Sequence, residues 1–260
     1  MEIPKLLEGK TAVVLGVANK RSIAWAVARR FTEAGARVLI TYQDDRLLDK
    51  VLPLAESVEG CLTCRCDLTD EADIAAVIEK VEREFGRLDI LTHSVAYALR
   101  QDLEGKFSET SAEGFGVAQN VSAYTLISSA RAAKPIMEKN GGGSIMAMTY
   151  HGSERVIPNY NVMGVAKASL EASIRYLAAE FGDANIRVNG LSPGPISTLA
   201  ARGISNFTTL LKEFAKRNAF HRTTDVEEVA DTAVFMGSDL SRGITGEVLY
   251  IDGGYHIMGG

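Results

Sequence analysis

Thr11-Ala-Val-Val-Leu15-Gly16-Val-Ala-Asn-Lys-Arg-Ser22-Ile-Ala24 places a short apolar run before a glycine turn. A helical pattern follows at once, with Ile23, Val27, Phe31 and Ala34 on one face and Gly35 as its stop. A strand, a tight turn and a helix start form the standard setting for a dinucleotide pyrophosphate, because the first helical N–H groups point at the turn. The glycine spacing is unusual: G-x-G-x-x-G is absent and only Gly16 remains. Ser22 and Ala24 are small enough for backbone to approach a phosphate, and the Ser22 hydroxyl can donate to it. The same residues also suit a plain strand–helix connection with Ser22 as a cap.

The alternation continues to the end of the chain. Further strands are predicted at 37–42, 62–66, 88–92, 144–148, 187–191 and 247–251. Helices are predicted at 45–58, 70–85, 112–139, 159–180, 206–217 and 225–236. Strand–helix alternation implies right-handed crossovers and a parallel sheet covered on both faces. The predicted fold is α/β: a single-domain, doubly wound, Rossmann-type seven-stranded sheet spanning 1–260. Its ligands are expected at the carboxyl ends of the strands.

Composition narrows the function. The chain has 260 residues, a net charge of −5 and 46% hydrophobic residues. A mildly acidic chain lacks the basic footprint of a dedicated nucleic-acid binder. No apolar run reaches membrane-spanning length, and the first ten residues hold no apolar signal core, so a cytoplasmic protein is expected. Cys61, Cys64 and Cys66 read as reduced thiols on or beside one strand, with no histidine spaced to complete a metal site. No metal is expected.

The second strand ends in Tyr42-Gln43, with Asp44 and Asp45 just beyond. Gln43 can hydrogen-bond an adenosine. Arg46 would suit a 2′-phosphate, but the balance favours NADH. Tyr160 and Lys167 are seven residues apart at the start of the helix after the fifth strand. Two helical turns bring them to the same face, displaced by only ~20°. A nearby ammonium is expected to favour the phenol's anion and improve it as an acid. Tyr150, at the carboxyl edge of the sheet, either packs on a substrate or is a rim aromatic.

Together these residues resemble the short-chain dehydrogenase/reductase superfamily. The likeness is to its divergent branch, the bacterial enoyl-acyl-carrier-protein reductases, and covers essentially the whole chain. It rests on Gly16-x5-Ser22-Ile23-Ala24 and on Tyr150, Tyr160 and Lys167 at their spacing. It rests also on Pro158-Asn-Tyr-Asn-Val-Met-Gly164, Ala166-Lys-Ala-Ser-Leu-Glu171, Ser192-Pro-Gly-Pro-Ile196 and Gly246-Glu-Val-Leu-Tyr-Ile-Asp-Gly-Gly254. Ordinary superfamily members carry lysine four residues after the tyrosine and serine thirteen before it. Here those positions hold Gly164 and Ala147.

The resemblance implies NADH-dependent reduction of trans-2-enoyl thioesters on acyl carrier protein, in fatty-acid elongation. It implies a homotetramer built on paired long helices. Tyr150, Tyr160 and Lys167 would be catalytic. Gly16, Ser22, Ile23, Gln43, Asp67, Leu68, Ser94, Val95, Lys167, Pro195, Ile196 and Thr198 would hold the cofactor. Tyr97 and Ala98 would reach the acyl site beside the two tyrosines. Residues 200–222 read as a substrate lid, with Phe207, Leu210, Leu211 and Phe214 on its apolar face. Arg202, Lys212, Lys216, Arg217 and Arg222 against Glu213 make it a basic patch suited to an acidic carrier protein. Two other readings remain open: a carbonyl reductase or alcohol dehydrogenase of the same superfamily, and a non-catalytic NAD(H) sensor.

Overall fold

The computed structural model describes residues 5–198 and 207–259. Seven strands form one sheet: β1 (Thr11–Leu15), β2 (Arg37–Tyr42), β3 (Leu62–Arg65), β4 (Ile90–His93), β5 (Gly143–Met148), β6 (Ile186–Pro193) and β7 (Val248–Ile251). Their order is β3-β2-β1-β4-β5-β6-β7 and every pairing is parallel. The order reverses between β1 and β4, which opens a crevice at their carboxyl ends.

The crossovers are α1 (Ile23–Glu33), α2 (Asp45–Glu56), α3 (Glu71–Phe85), α4 (Arg100–Leu103), α5 (Ala112–Gln119), α6 (Thr125–Lys139), α7 (Asn161–Phe181), α8 (Phe207–Arg217) and α9 (Val226–Gly237). They pack in two layers. One face of the sheet buries Trp25, Val27 and Phe31 of α1, Val51 of α2 and Val229 and Ala233 of α9. The other buries Ile74 and Val81 of α3, Leu126 and Met137 of α6 and Leu170 and Ile174 of α7. Residues alternate between the faces along the central strands. Val14 joins the first layer, Val13 and Leu15 the second, which is why β1 is apolar throughout.

Two sequence expectations are corrected. The third strand ends at Arg65, so Cys66 lies just beyond it. The stretch 112–139 is not one regular helix. A π-helical turn, Asn120–Tyr124, separates α5 from α6. A π turn accommodates one extra residue locally, and nothing in the composition of this stretch marks where it falls. Its effect is local: Ser122, fully buried, accepts a hydrogen bond from the Tyr97 backbone N–H at 3.0 Å and donates to the Tyr97 carbonyl at 3.1 Å. The loop after β4 is thereby fixed from below.

Candidate functional site

The β1–α1 turn is tied internally. The Ser22 hydroxyl oxygen accepts from the N–H groups of Ala18 (3.1 Å) and Asn19 (3.0 Å). It makes no side-chain cap to α1. The cap reading is therefore corrected: Ser22 staples the turn as an acceptor and its hydroxyl hydrogen remains available to a ligand. The first turn of α1 carries no carboxylate, so its positive end is left for an anion.

Gly16 has φ +92°, and a Cβ there would lie 2.6 Å from Val95 Cγ2 and 2.7 Å from the Ser94 carbonyl oxygen. Its bare α-carbon lets the β1 and β4 tips meet. Gly16→Ala is expected to destabilise the fold by about 1–3 kcal/mol, through strain at positive φ and overpacking. Dinucleotide affinity should fall with it. A urea titration beside NADH fluorescence measures both, and an unchanged affinity would count against the turn as a cofactor cradle.

At the neighbouring tips, Asp67 is held below the usual carboxylate range. Burial opposes this, but hydrogen bonds from the Thr69 backbone and hydroxyl and from the Gln43 side chain outweigh it. The two residues expected to flank an adenine are thus tied to one another, with Leu68 buried alongside. Arg46, in the first turn of α2, pairs with the N-cap residue Asp44. Ser94 and Val95 follow β4, Tyr97 is exposed and Ala98 buried. Beyond β6, Gly194 N–H donates to Ile251, Pro195 is buried, and Ile196 and Thr198 are part-exposed at the same edge of the sheet. Phe214 anchors α8 there. A Cβ on Gly194 would lie 2.4 Å from its ring, which also stacks on Tyr255 at 4.8 Å.

Tyr160 sits one residue before α7, between Asn159 (φ +62°) and Asn161 (φ +34°). Left-handed backbone on both sides is costly and fixes where the phenol points. Its ring packs edge-on against Tyr150, with centroids 5.1 Å apart. It also covers Gly152, where a Cβ would come within 2.5 Å of the ring. Gly164 lies one turn along α7, and a Cβ there would meet the Gly152 carbonyl oxygen at 2.7 Å. A lysine four residues after this tyrosine therefore has no room. The amine comes instead from Lys167, buried at 4% exposure, whose Nζ donates to the Met148 carbonyl at 2.7 Å.

The electrostatics correct one expectation. Burial, with smaller contributions from Tyr150 and Glu171, pushes the Tyr160 phenol well above its ordinary value, with no offset from Lys167. The phenol is a neutral hydrogen-bond donor, not an incipient anion. Burial also brings Lys167 down to about 8, opposed by Glu171.

His93, fully buried at the end of β4 with Nε2 2.8 Å from the Thr125 hydroxyl, is lowered to about 3 by burial and then by Lys167. The unfolded chain takes up a proton below about pH 6.5 that the folded chain refuses, so stability falls as pH drops through that window. By pH 5 the loss due to this group should reach about 2 kcal/mol. Urea midpoints at pH 7 and pH 5 should differ less for His93→Gln than for the parent, and equal differences would exclude His93 as the source.

Of the lid, residues 200–206, including Arg202, lie outside the described residues. Lys216 pairs with Glu213 and Arg222 with Glu228. Lys212 and Arg217 are exposed and form no salt bridge among the described residues. Burial lifts Cys61 to about 11 and Cys66 to about 12, as expected of inert structural thiols. Among the described residues no cluster of potential ligands could hold a metal ion, and no helix is long and apolar enough to cross a membrane.

Sequence reasoning missed Ser122, Thr149 and Glu171 at this site. Thr149 and Glu171 are both buried, and the Thr149 hydroxyl donates to the Glu171 carboxylate at 2.5 Å. Glu171 stands within Ala166–Glu171, and a charged residue on the apolar side of that helical pattern was the available signal.

Known proteins place this geometry. The profile of the Enoyl-(Acyl carrier protein) reductase family matches residues 16–256. An enoyl-[acyl-carrier-protein] reductase [NADH] of Bacillus cereus is 51% identical over 98% of this chain and 100% of its own length. Its counterpart from Bacillus subtilis is 49% identical over 96% and 97%. The solved Bacillus cereus enoyl-acyl carrier protein reductase, with NADP+ and indole naphthyridinone, superposes with a TM-score of 0.95 at 51% identity, covering 98% of this chain and 99% of that one. The Anaplasma phagocytophilum enzyme in complex with NAD also gives 0.95, at 40% identity, covering 100% and 98%. A closed Gly164 position, an amine displaced to Lys167 and full-length similarity to these reductases agree: the chain belongs to the enoyl-(acyl carrier protein) reductase family.

Proposed function

We propose that the chain reduces trans-2-enoyl thioesters of acyl carrier protein with NADH, in fatty-acid biosynthesis. The observation that carries this reading beyond family membership is the steric exclusion at Gly164, which moves the amine to Lys167 and leaves Tyr160 as a neutral donor. The turn at Gly16 and Ser22 with Ile23, the Gln43–Asp67 pair with Leu68, and Ser94, Val95, Pro195, Ile196 and Thr198 form the cofactor's rim. When bound, the nicotinamide supplies a hydride to the β-carbon of the enoyl group.

The chain's own residues do the rest. Negative charge develops on the thioester oxygen, and a fixed donor aimed there lowers the barrier more than a mobile one. Tyr160 is that donor. Its neutrality suits the task, because the charge lies on a conjugated oxygen that needs a hydrogen bond. Lys167 commits one of its three N–H donors to Met148 and keeps two for ribose hydroxyls. Tyr150 walls the acyl site against the Tyr160 ring, Ala98 packs in the same apolar cluster, and Tyr97 precedes it in the chain. The α-carbon takes its proton from solvent.

The same reading takes the chain as one reductase domain with a lid at about 200–222, whose Lys212 and Arg217 face the acidic carrier protein. It also takes the protein as a cytoplasmic homotetramer, which reduced thiols and the exposed Phe115, Tyr124 and Tyr176 along α5–α7 support.

Loss of NADH absorbance with a short enoyl thioester, run beside NADPH and a ketone panel, tests the reaction. Oxidation of NADH with the enoyl substrate alone is expected. Activity confined to ketones would mean a carbonyl reductase, and cofactor binding without turnover would mean a sensor.

A further inference from the structure

Lys167 is an ammonium that the fold has almost entirely removed from water, and its function requires it to stay charged. Burial works against that. Among the described residues one carboxylate acts on Lys167, through the interior and without a direct ion pair. Glu171 is four residues further along α7, one helical turn away on the same side, and 6% exposed. Its Oε1 accepts from the Thr149 hydroxyl, itself 4% exposed, at 2.5 Å.

The arrangement spans two elements. Met148 ends β5 and Thr149 follows it. The Met148 carbonyl takes the lysine and the Thr149 hydroxyl takes the glutamate, so two consecutive residues of the strand end clasp two residues one turn apart on α7. The clasp fixes the height and rotation of α7 against the sheet, and Tyr160 stands at the start of that helix. Thr149 is held in turn, since its N–H donates to the Leu191 carbonyl and its methyl would contact a Cβ on Gly190 at 3.5 Å.

Resting on the reading of the reaction given above, we propose that Glu171, oriented by Thr149, is a positioning residue for Lys167: a buried counter-charge that keeps the amine protonated and directed at the cofactor. The other groups around the lysine do not supply this. His93 on β4 is held neutral, in part by Lys167 itself. Tyr160, at the start of α7, and Tyr150, beyond β5, are both held as neutral phenols by burial. Tyr250 on β7 also feels the Glu171 charge and is raised, chiefly by burial. Glu171 is the charge that favours the Lys167 ammonium.

The test reads Lys167 directly. With lysine labelled at Cε, its carbon resonance is followed against pH in the full-length protein, alone and with NAD+. The signal is assigned by its absence from Lys167→Arg. Glu171→Gln keeps the volume and can still accept from Thr149. It is expected to lower the Lys167 midpoint by about one pH unit or more, the usual effect of losing an opposite charge nearby. Glu171→Asp should keep most of the parent value. The high-pH limb of kcat/KM with an enoyl thioester should move down with the midpoint, so that Glu171→Gln loses about tenfold more at high pH than at pH 6.5. Thr149→Val, nearly isosteric, should move the midpoint the same way by less, and it keeps the question open to measurement should Glu171→Gln not fold. A Lys167 midpoint and a limb unchanged in whichever variants fold would overturn the proposal, even if activity fell uniformly. Because the resonance needs no turnover, a parent enzyme silent on enoyl thioesters would overturn the reading of the reaction and leave this result standing.

Discussion

Tyr160→Phe is expected to lower kcat on an enoyl thioester by about 10²–10³-fold while NADH affinity changes by less than about twofold. The substitution removes one oxygen and leaves the ring, which carries the packing. That ring lies edge-on to Tyr150 and over Gly152, so the fold should be retained. The loss belongs to the transition state, because the thioester oxygen acquires its charge only as hydride arrives. The burial that raises this phenol predicts the form of the pH dependence as well. A tyrosine that acted as an anion would show its own ionisation in kcat near neutrality. Tyr160 stays protonated across the working range, so kcat in the parent should show no limb from it. The loss should lie in kcat for the enoyl thioester, with KM little changed, since the bond from Tyr160 forms to the charge of the transition state. A loss carried by KM with kcat kept would count against Tyr160 as the donor.

The sheet was legible because each strand is an apolar run of a few residues between helical patterns with recognisable stops. Gly35 and Gly86 are such stops, and both adopt positive φ after α1 and α3. The π turn at Asn120–Tyr124 was illegible, since nothing in the composition of the stretch marks where it falls and only its consequence, Ser122 beneath Tyr97, sets it apart. At the site, Tyr160 and Lys167 could be read from helical geometry. Their electrostatics could not. Whether an ammonium lowers a phenol or burial raises it depends on how much water reaches them, which is a property of the packed layers. The reason for Gly164 was hidden too. A glycine in a helix pattern signals close approach, but what approaches is the Gly152 carbonyl, twelve residues away and folded back over the start of α7.

Lys167→Met should cost more activity than any other single change here: kcat/KM down by about 10³-fold or more and NADH affinity down by about tenfold. Methionine fills the same space without charge or donors. The effect on stability separates two contributions. Burial holds the folded lysine near 8 against an ordinary 10.5. Below pH 8 it is charged in both states and the fold carries the net cost of burying it beside Glu171, about 3 kcal/mol. Between pH 8 and 10.5 the folded chain releases the proton while the unfolded chain retains it, so the parent gains stability as pH rises. Methionine removes that penalty and that gain. It also leaves Glu171 buried without the nearby ammonium, and an uncompensated buried charge costs about as much as the penalty removed. Lys167→Met alone should therefore be no more stable than the parent at pH 7. The double variant Lys167→Met/Glu171→Gln, which removes both charges, should be more stable than Lys167→Met. Urea unfolding of the four proteins forms a double-mutant cycle, and additivity to within about 0.5 kcal/mol would show the two charges to be independent. A non-additive result would show that the two buried charges are coupled in the fold, and a double variant more stable than the parent would show that they are retained at a cost in stability.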